Sequence, residues 1–371
     1  MKIHLLVVCY LCLSTKMFAQ VYSDKVVGDR NAALSDSLKS SKYPYVLPIW
    51  GAKATERGFD LPYSAGLNIN YLWQESDLTV KNLQVGFNNG TLYNLDEIVR
   101  FTDATSTTNA VNFRPDVWLL PFLNVYGIFA KSQSSTAIDF GIWVPNATDT
   151  WTEVFTTSTK ADFNGTTLGF GMTPTIGVGG GFMALDMNFA WTDIEALEKP
   201  AFSFVFGPRL GKSFRLKKEQ AVAVWVGGFR VKINSGTTGS LAVSDLFDTE
   251  NLESKIQNGI TKVGDAQQGV DTWWNGLSTI EKNNPVNKAK YATANKALEA
   301  AGNFLNAASS AVNDLEQSTV QYSLDKKQTD LWNFVVGGQY QPNKHLMLRA
   351  EVGFLSSRTQ VLAGIQYRFG L

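Results

Sequence analysis

The chain has 371 residues, with 33 basic against 33 acidic, so its formal charge is zero, and it carries 12% aromatics and 31 glycines. That balance excludes the basic excess a nucleic-acid partner requires. Aromatics and glycines at this level are also high for a soluble enzyme of this length.

At the amino terminus Lys2 precedes an apolar run from Ile3 to Leu13, then Ser14, Thr15, Lys16 and a small residue at Ala19. This is the layout of a secretory signal peptide over 1–19, and it is too short to span a bilayer. Its removal leaves 31 basic residues against 33 acidic ones. Cys9 and Cys12 leave with it, so the mature chain can form no disulfide. Residues 20–60 show no alternation; Tyr43-Pro44-Tyr45 and the stretch from Pro48 to Gly51 predict a periplasmic extension, either tucked into the remainder as a plug or left as a tether.

From residue 61 onward two-residue alternation recurs between turn signals. Leu67, Ile69, Tyr71 and Trp73 alternate with Asn68, Asn70 and Gln74, and Leu83, Val85 and Phe87 with Asn82, Gln84 and Gly86. Asn88-Asn89-Gly90 then has the chemistry of a hairpin turn, because Asn and Gly tolerate positive φ. Further segments begin near Leu92, Val111, Leu123, Thr167, Met183, Phe202, Ala221, Leu331, Leu346 and Thr359, which makes about twelve strands, or about ten without the weakest pair. The glycine run Gly179-Gly180-Gly181 lacks the Lys and helix of a phosphate loop and predicts a tight turn.

Over 242–325 the period changes to heptads. Ile256, Gly259, Val263, Ala266, Val270, Trp273, Leu277 and Ile280 recur at spacings of three and four, as do Tyr291, Ala294, Leu298, Ala301, Leu305, Ala308, Val312 and Leu315. Asn283-Asn284-Pro285 separates the runs, which predicts an antiparallel helical hairpin with a coiled-coil seam. Folding about that turn sets Leu277 opposite Ala294, Val270 opposite Ala301, Ala266 opposite Leu305, Val263 opposite Ala308 and Gly259 opposite Val312. Large meets small in most layers. Trp273 falls on the seam, and Trp274 beside it.

The last strand alternates strictly: Val361, Ala363, Ile365, Tyr367, Phe369 and Leu371 share one face, and Gln360, Gln366 and Arg368 the other. An apolar outside with a polar inside suits a transmembrane β-barrel, whose outer face lipid buries. Gly364, Tyr367 and Phe369, read as Gly-x-x-Tyr-x-Phe, resemble the C-terminal signal by which Gram-negative outer-membrane barrels are recognised by the barrel-insertion machinery. The resemblance covers one strand and departs from the commonest form, which ends on the aromatic. It implies an all-β barrel over 61–371 in outer-membrane lipid, with a periplasmic C-terminus. Counting back from there, Gln341 to Lys344, Arg215 to Glu219, Gly177 to Gly181 and the Leu120-Pro121 region are short periplasmic turns. Residues 102–109, 133–164 and 194–200 become outer loops, and the hairpin lies outside the cell.

If apolar faces meet lipid, the inward charged set is Arg114, Asp116, Asp186, Arg209, Arg230, Lys232, Arg349, Glu351 and Arg368. Its basic excess predicts a path for small polar or anionic solutes. A closed interior in which Arg349, Glu351 and Arg368 satisfy one another is the competing arrangement. Catalysis is not expected: after signal removal His345 is the remaining histidine, next to a turn and without a serine nucleophile motif. No cofactor or metal is expected either. The sequence therefore predicts a passive channel or transporter, or alternatively a non-enzymatic surface protein whose barrel anchors a hairpin that binds an extracellular partner.

Overall fold

The structure is a computed structural model, and it describes residues 29–371 apart from positions 149, 196, 198, 218, 235, 249, 316 and 356. The signal expected over 1–19 lies outside the described residues. Two short helices, α1 (Asp29–Lys39) and α2 (Gly51–Thr55), precede the sheet. The strands are β1 (Ala65–Phe87), β2 (Tyr93–Asn94), β3 (Val99–Leu120), β4 (Leu123–Pro145), β5 (Trp151–Val178), β6 (Gly181–Ile194), β7 (Ala201–Arg215) and β8 (Ala221–Asn234). After β9 (Gly236–Ala242) come α3 (Val243–Leu246), α4 (Leu252–Gly276), α5 (Thr279–Asn283) and α6 (Pro285–Val312). The chain ends with β10 (Thr319–Gln328), β11 (Trp332–Gln341), β12 (Leu346–Leu355) and β13 (Arg358–Phe369).

Ten antiparallel strands close a barrel in the order β1, β3, β4, β5, β6, β7, β8, β11, β12, β13. Closure is made by β1, where Leu67 pairs with Pro115 of β3 on one edge and Tyr367 of β13 on the other. The estimate of about twelve is corrected to ten for two reasons. The segments at Leu67 and Leu83 are one continuous strand, and the one near Leu92 yields only the two-residue β2, which pairs with β1 outside the ring.

The outward faces carry the apolar half of the alternation: Leu67, Ile69, Tyr71, Val111, Phe113, Leu168, Phe170, Val224, Val226, Val361 and Ile365 are all exposed. In water such a belt would aggregate; around a closed barrel it is the lipid-facing band. Aromatic contacts cross it, with Phe170 and Phe189 at 5.2 Å, Phe189 and Phe204 at 5.0 Å, and Trp191 and Phe202 at 5.2 Å. The turns joining β3 to β4, β5 to β6, β7 to β8 and β11 to β12 lie at one end, with positive φ at Gly179 and Gly180 in the one between β5 and β6.

The other end is lopsided. β11 and β12 have 10 residues, about what a tilted crossing needs, whereas β1, β3, β4 and β5 have 22 to 28 and run on past the barrel. Residues 102–109 and 133–164, expected as loops, are therefore largely paired strand, as in Thr107 with Ser135 and Thr136 with Ala161. Their Ser/Thr-rich faces hide the alternation because no lipid meets them at this height. Beyond Asp77, β1 leaves β3 and pairs with β10, which in turn pairs with β9.

Helices α4 and α6 pack against the inner faces of these extensions. Ile142, Val144, Phe155, Val243, Leu252, Ile256, Leu298 and Leu305 share one apolar core with Leu83 and Val320. Of the expected seam, Ile256, Val263, Val270, Leu298, Leu305 and Val312 are buried, Trp273, Leu277 and Leu315 are half-buried, and Ile280 is 85% exposed. The pairing differs from that expected by about one heptad: Gly259 meets Leu305, Val263 meets Gly302, and Gln267 donates to Asn295 at 2.7 Å. A capping box explains the slip. The Ser278 hydroxyl accepts from the Glu281 N–H while the Glu281 carboxylate accepts from the Ser278 N–H at 2.8 Å. This winds α5 into the connection, so the fold-back centres before Asn283-Asn284-Pro285 rather than on it. Trp274, not Trp273, stacks on the facing helix, with its ring 4.4 Å from Tyr291. A second heptad row on α6, Ala297, Phe304 and Ala311, is also buried, and Phe304 packs on Phe87 and Tyr93.

Candidate functional site: the barrel lumen

The inward half of the alternation converges on a belt across the lumen. Arg209 of β7 forks onto Glu351 of β12, Nε to Oε2 at 2.8 Å and Nη2 to Oε1 at 3.1 Å, and its Nη1 reaches Asp186 of β6 at 3.2 Å. Glu351 also accepts from Trp225 Nε1 at 2.8 Å and Arg349 Nη2 at 3.2 Å, and the Arg349 guanidinium lies 5.0 Å from the Trp225 ring centre. Asp186 accepts from the Tyr126 hydroxyl and from Thr173 at 2.9 Å, while the Arg114 guanidinium sits 5.3 Å from the Tyr126 ring. Arg209 and Glu351 are 8% and 2% exposed, so both charges are desolvated and depend on each other.

Nearer the short turns, Arg368 pairs with Asp116 at 2.9 Å, and Asp116 also accepts from Gln366 at 2.6 Å and Asn124 at 2.7 Å. Between the belt and this group lies a cavity of about 250 Å³, lined in part by Arg114, Trp118, Tyr126, Arg349 and Gln366. Glycines let the large side chains in. A Cβ on Gly337 would stand 2.6 Å from the Trp225 ring, and one on Gly171 would collide with Tyr126. Large against absent side chain is how a narrow barrel fills its own interior.

Seven of the nine expected inward charges are thus brought together: Arg114, Asp116, Asp186, Arg209, Arg349, Glu351 and Arg368. Arg230 and Lys232 are not among them. Both are exposed on the outer face, where Arg230 pairs with Phe206 and Trp332 and Lys232 with Phe204. In β8 it is Trp225, Gly227, Phe229 and Val231 that turn inward, so the charged residues follow Val224 and Val226 outward. Their long stems suit the upper rim of the lipid band, where the ammonium and guanidinium reach headgroups.

The segment before β1 crosses the short-turn mouth. Val46 N donates to Leu371 O at 2.9 Å, Ile49 N to Leu119 O at 3.0 Å, and Asp60 is held by Arg215 and by Lys344 at 3.7 Å. Arg368 Nε donates to Tyr63 O at 2.9 Å. This joins the turns of β3–β4, β7–β8 and β11–β12 through one strap over residues 43–64, which contains α2 and follows α1; the lack of alternation concealed both helices. Burial, helped by neighbouring Tyr45, pushes the Tyr43 hydroxyl up to about 12, which keeps it a donor to Leu47 O at 2.6 Å.

His345 Nδ1 lies 2.8 Å from Arg368 O and its ring is held between Tyr63 and Tyr367, at 4.7 and 5.5 Å. In the stretch expected as the terminal signal, Tyr367 is exposed on the outer face with Phe369 two residues on, whereas a Cβ on Gly364 would run into Asn70 in the lumen.

A closed antiparallel barrel, apolar outside and polar within, defines the chain as an outer-membrane β-barrel protein. No family model and no curated protein matches the sequence. Among solved structures it is similar to the translocator domain of the autotransporter NalP from Neisseria meningitidis, at 9% identity over 82% of this chain and 89% of that one, with a TM-score of 0.33. The transport unit of the autotransporter AIDA-I from Escherichia coli matches at 9% identity over 91% and 98%, with a TM-score of 0.29. An outer membrane channel from Pseudomonas putida F1 matches at 8% over 83% and 96%, with a TM-score of 0.27. Identity and score are low in all three, and the class rests on the geometry above.

Proposed function

We propose that this protein is a non-enzymatic outer-membrane anchor: a barrel closed by its own side chains that displays the helix–sheet head outside the cell for contact with a partner. The carrying observation is the Arg209 bridge between Asp186 and Glu351, buried and completed by Trp225, Arg349 and Tyr126. A solute path would need these groups to face water, yet Arg209, Asp186 and Glu351 are each engaged by other side chains. The strap over residues 43–64 and the head over the opposite mouth act in the same direction. Passage of small polar or anionic solutes is the competing reading, based on the 250 Å³ cavity and its arginines. Sidedness is tested by Asn284→Cys at the exposed hairpin tip: a membrane-impermeant maleimide should label it on intact cells. Labelling only after the outer membrane is opened would place the head in the periplasm and end this reading of display. Closure is tested by current across planar bilayers.

A further inference from the structure

The outward apolar rows of β3 and β13 end at the short-turn rim with Leu119 and Leu371, which are 40% and 52% exposed. β1 lies between these two strands. Beneath it the strap is tied to both their ends: Val46 N and Leu47 N donate to Leu371 O at 2.9 and 3.2 Å, and Ile49 N donates to Leu119 O at 3.0 Å. Two strand spacings make about 9.6 Å and three extended residues span about 10 Å, so residues 46–49 follow the wall from one strand to the other before the chain turns across the mouth. An extended chain on that course sends alternate side chains in and out. Tyr45 goes inward, with its ring 5.7 Å from that of Tyr63 and in the space a Cβ on Gly370 would need. Val46 is 86% exposed, and Ile49 and Trp50 are 47% and 56% exposed. Trp50 also has a φ of 70°, in the left-handed region that bulky side chains rarely adopt. That strain falls on a residue whose indole is left uncovered, so packing within the chain does not repay it.

Val46, Ile49 and Trp50 thus adjoin Leu119 and Leu371 and continue the lipid-facing band past the ends of its strands. An apolar patch of this kind is unfavourable against water, whereas here it borders a surface already immersed in lipid. Tryptophan suits that level, because its ring is apolar and its N–H can meet a headgroup. We propose that residues 46–50 are an interfacial anchor: Val46, Ile49 and Trp50 enter the periplasmic leaflet of the outer membrane, and lipid thereby holds the strap against the rim below β13, β1 and β3. The anchor depends on the barrel being in a bilayer, not on whether its lumen conducts or its head meets a partner.

The test uses the full chain with Cys9→Ser and Cys12→Ser, in nanodiscs of phosphatidylethanolamine and phosphatidylglycerol. A bimane fluorophore is attached through Val46→Cys or, as the reference on the lipid-facing band, Leu371→Cys, and part of the lipid is exchanged for phospholipid with a nitroxide near the top of its acyl chain. Emission from Val46→Cys should fall severalfold, as strongly as that from Leu371→Cys. Clearly weaker quenching at Val46 would overturn the proposal and leave the patch facing water or a periplasmic protein. Val46→Asp supplies a second reading. At an 86% exposed position it leaves the barrel free to fold, but a carboxylate is expelled from the leaflet, so trypsin should cut after the exposed Lys53 severalfold faster than in the parent. Cleavage at the parent's rate in the nanodisc would equally rule the anchor out.

Discussion

The barrel interior and the head solve the same packing problem with opposite chemistry. In the head, Leu298, Leu305, Ile256 and Val144 are buried against one another and against small residues such as Gly259 and Ala301. In the barrel the lipid takes the apolar face, so the polar face must be turned inward and satisfied there, by Arg209, Asp186, Glu351, Trp225 and Tyr126. Non-directional burial tolerates small adjustments, whereas a charge network depends on every member being present. The lesson is that a polar lumen is not by itself a pore.

Breaking the network should therefore have the largest effect. Arg209→Met leaves Asp186 and Glu351 buried without their shared cation, and a loss of about 3–5 kcal/mol is expected. Urea unfolding of the reconstituted barrel, followed by heat-modifiable gel mobility, would measure it; a loss below about 1 kcal/mol would contradict the bridge. Leu305→Asp attacks the head instead, placing a carboxylate against Gly259 in a layer with 0% exposure at Leu305. Limited proteolysis should cut the variant faster within 256–315 while the barrel stays folded, and Asn306→Asp, on the exposed face, should match the parent. If both variants were cut alike, the seam would be wrong.

Gly337→Ala probes how full the lumen is. The new methyl would press on Trp225, so about 1–3 kcal/mol of destabilisation is expected from the same urea curves. No change would mean that the interior is looser than its geometry implies. The smallest effect has the opposite sign. Gly264 in α4 has nothing within 4 Å of a built Cβ, and Gly264→Ala should stabilise the head by about 1 kcal/mol, read from slower proteolysis of the hairpin.

Much of the barrel was legible because lipid enforces a strict period of two: Leu67 to Trp73 and Val361 to Leu371 declare their faces directly. Arg230 and Lys232 misled because β8 is apolar on both faces, so polarity alone cannot say which side is inside. What decides it is Trp225 seated against Gly337, its direct partner on the neighbouring strand β11, a tertiary fact. The heptads of α4 and α6 revealed the seam but not its register, since a slip of seven residues maps one seam onto another; the Ser278–Glu281 capping box was the local signal that resolves it. The row Ala297, Phe304 and Ala311 shares the heptad period and could have shown that α6 has a second partner. The strap over 43–64 left no pattern, because its contacts are single ones such as Asp60 with Arg215.

Single-channel recording on the intact protein in planar bilayers, with a second arm in which residues 243–318 are replaced by a short turn, tests the closed lumen most directly. Ala242 and Thr319 pair across β9 and β10, so the deletion needs only a tight connection. The account predicts no steady current from either protein, because the seal is the Arg209 belt and not the head. Steady current from the intact protein would contradict closure, and current that appears only on deletion would make the head a gate.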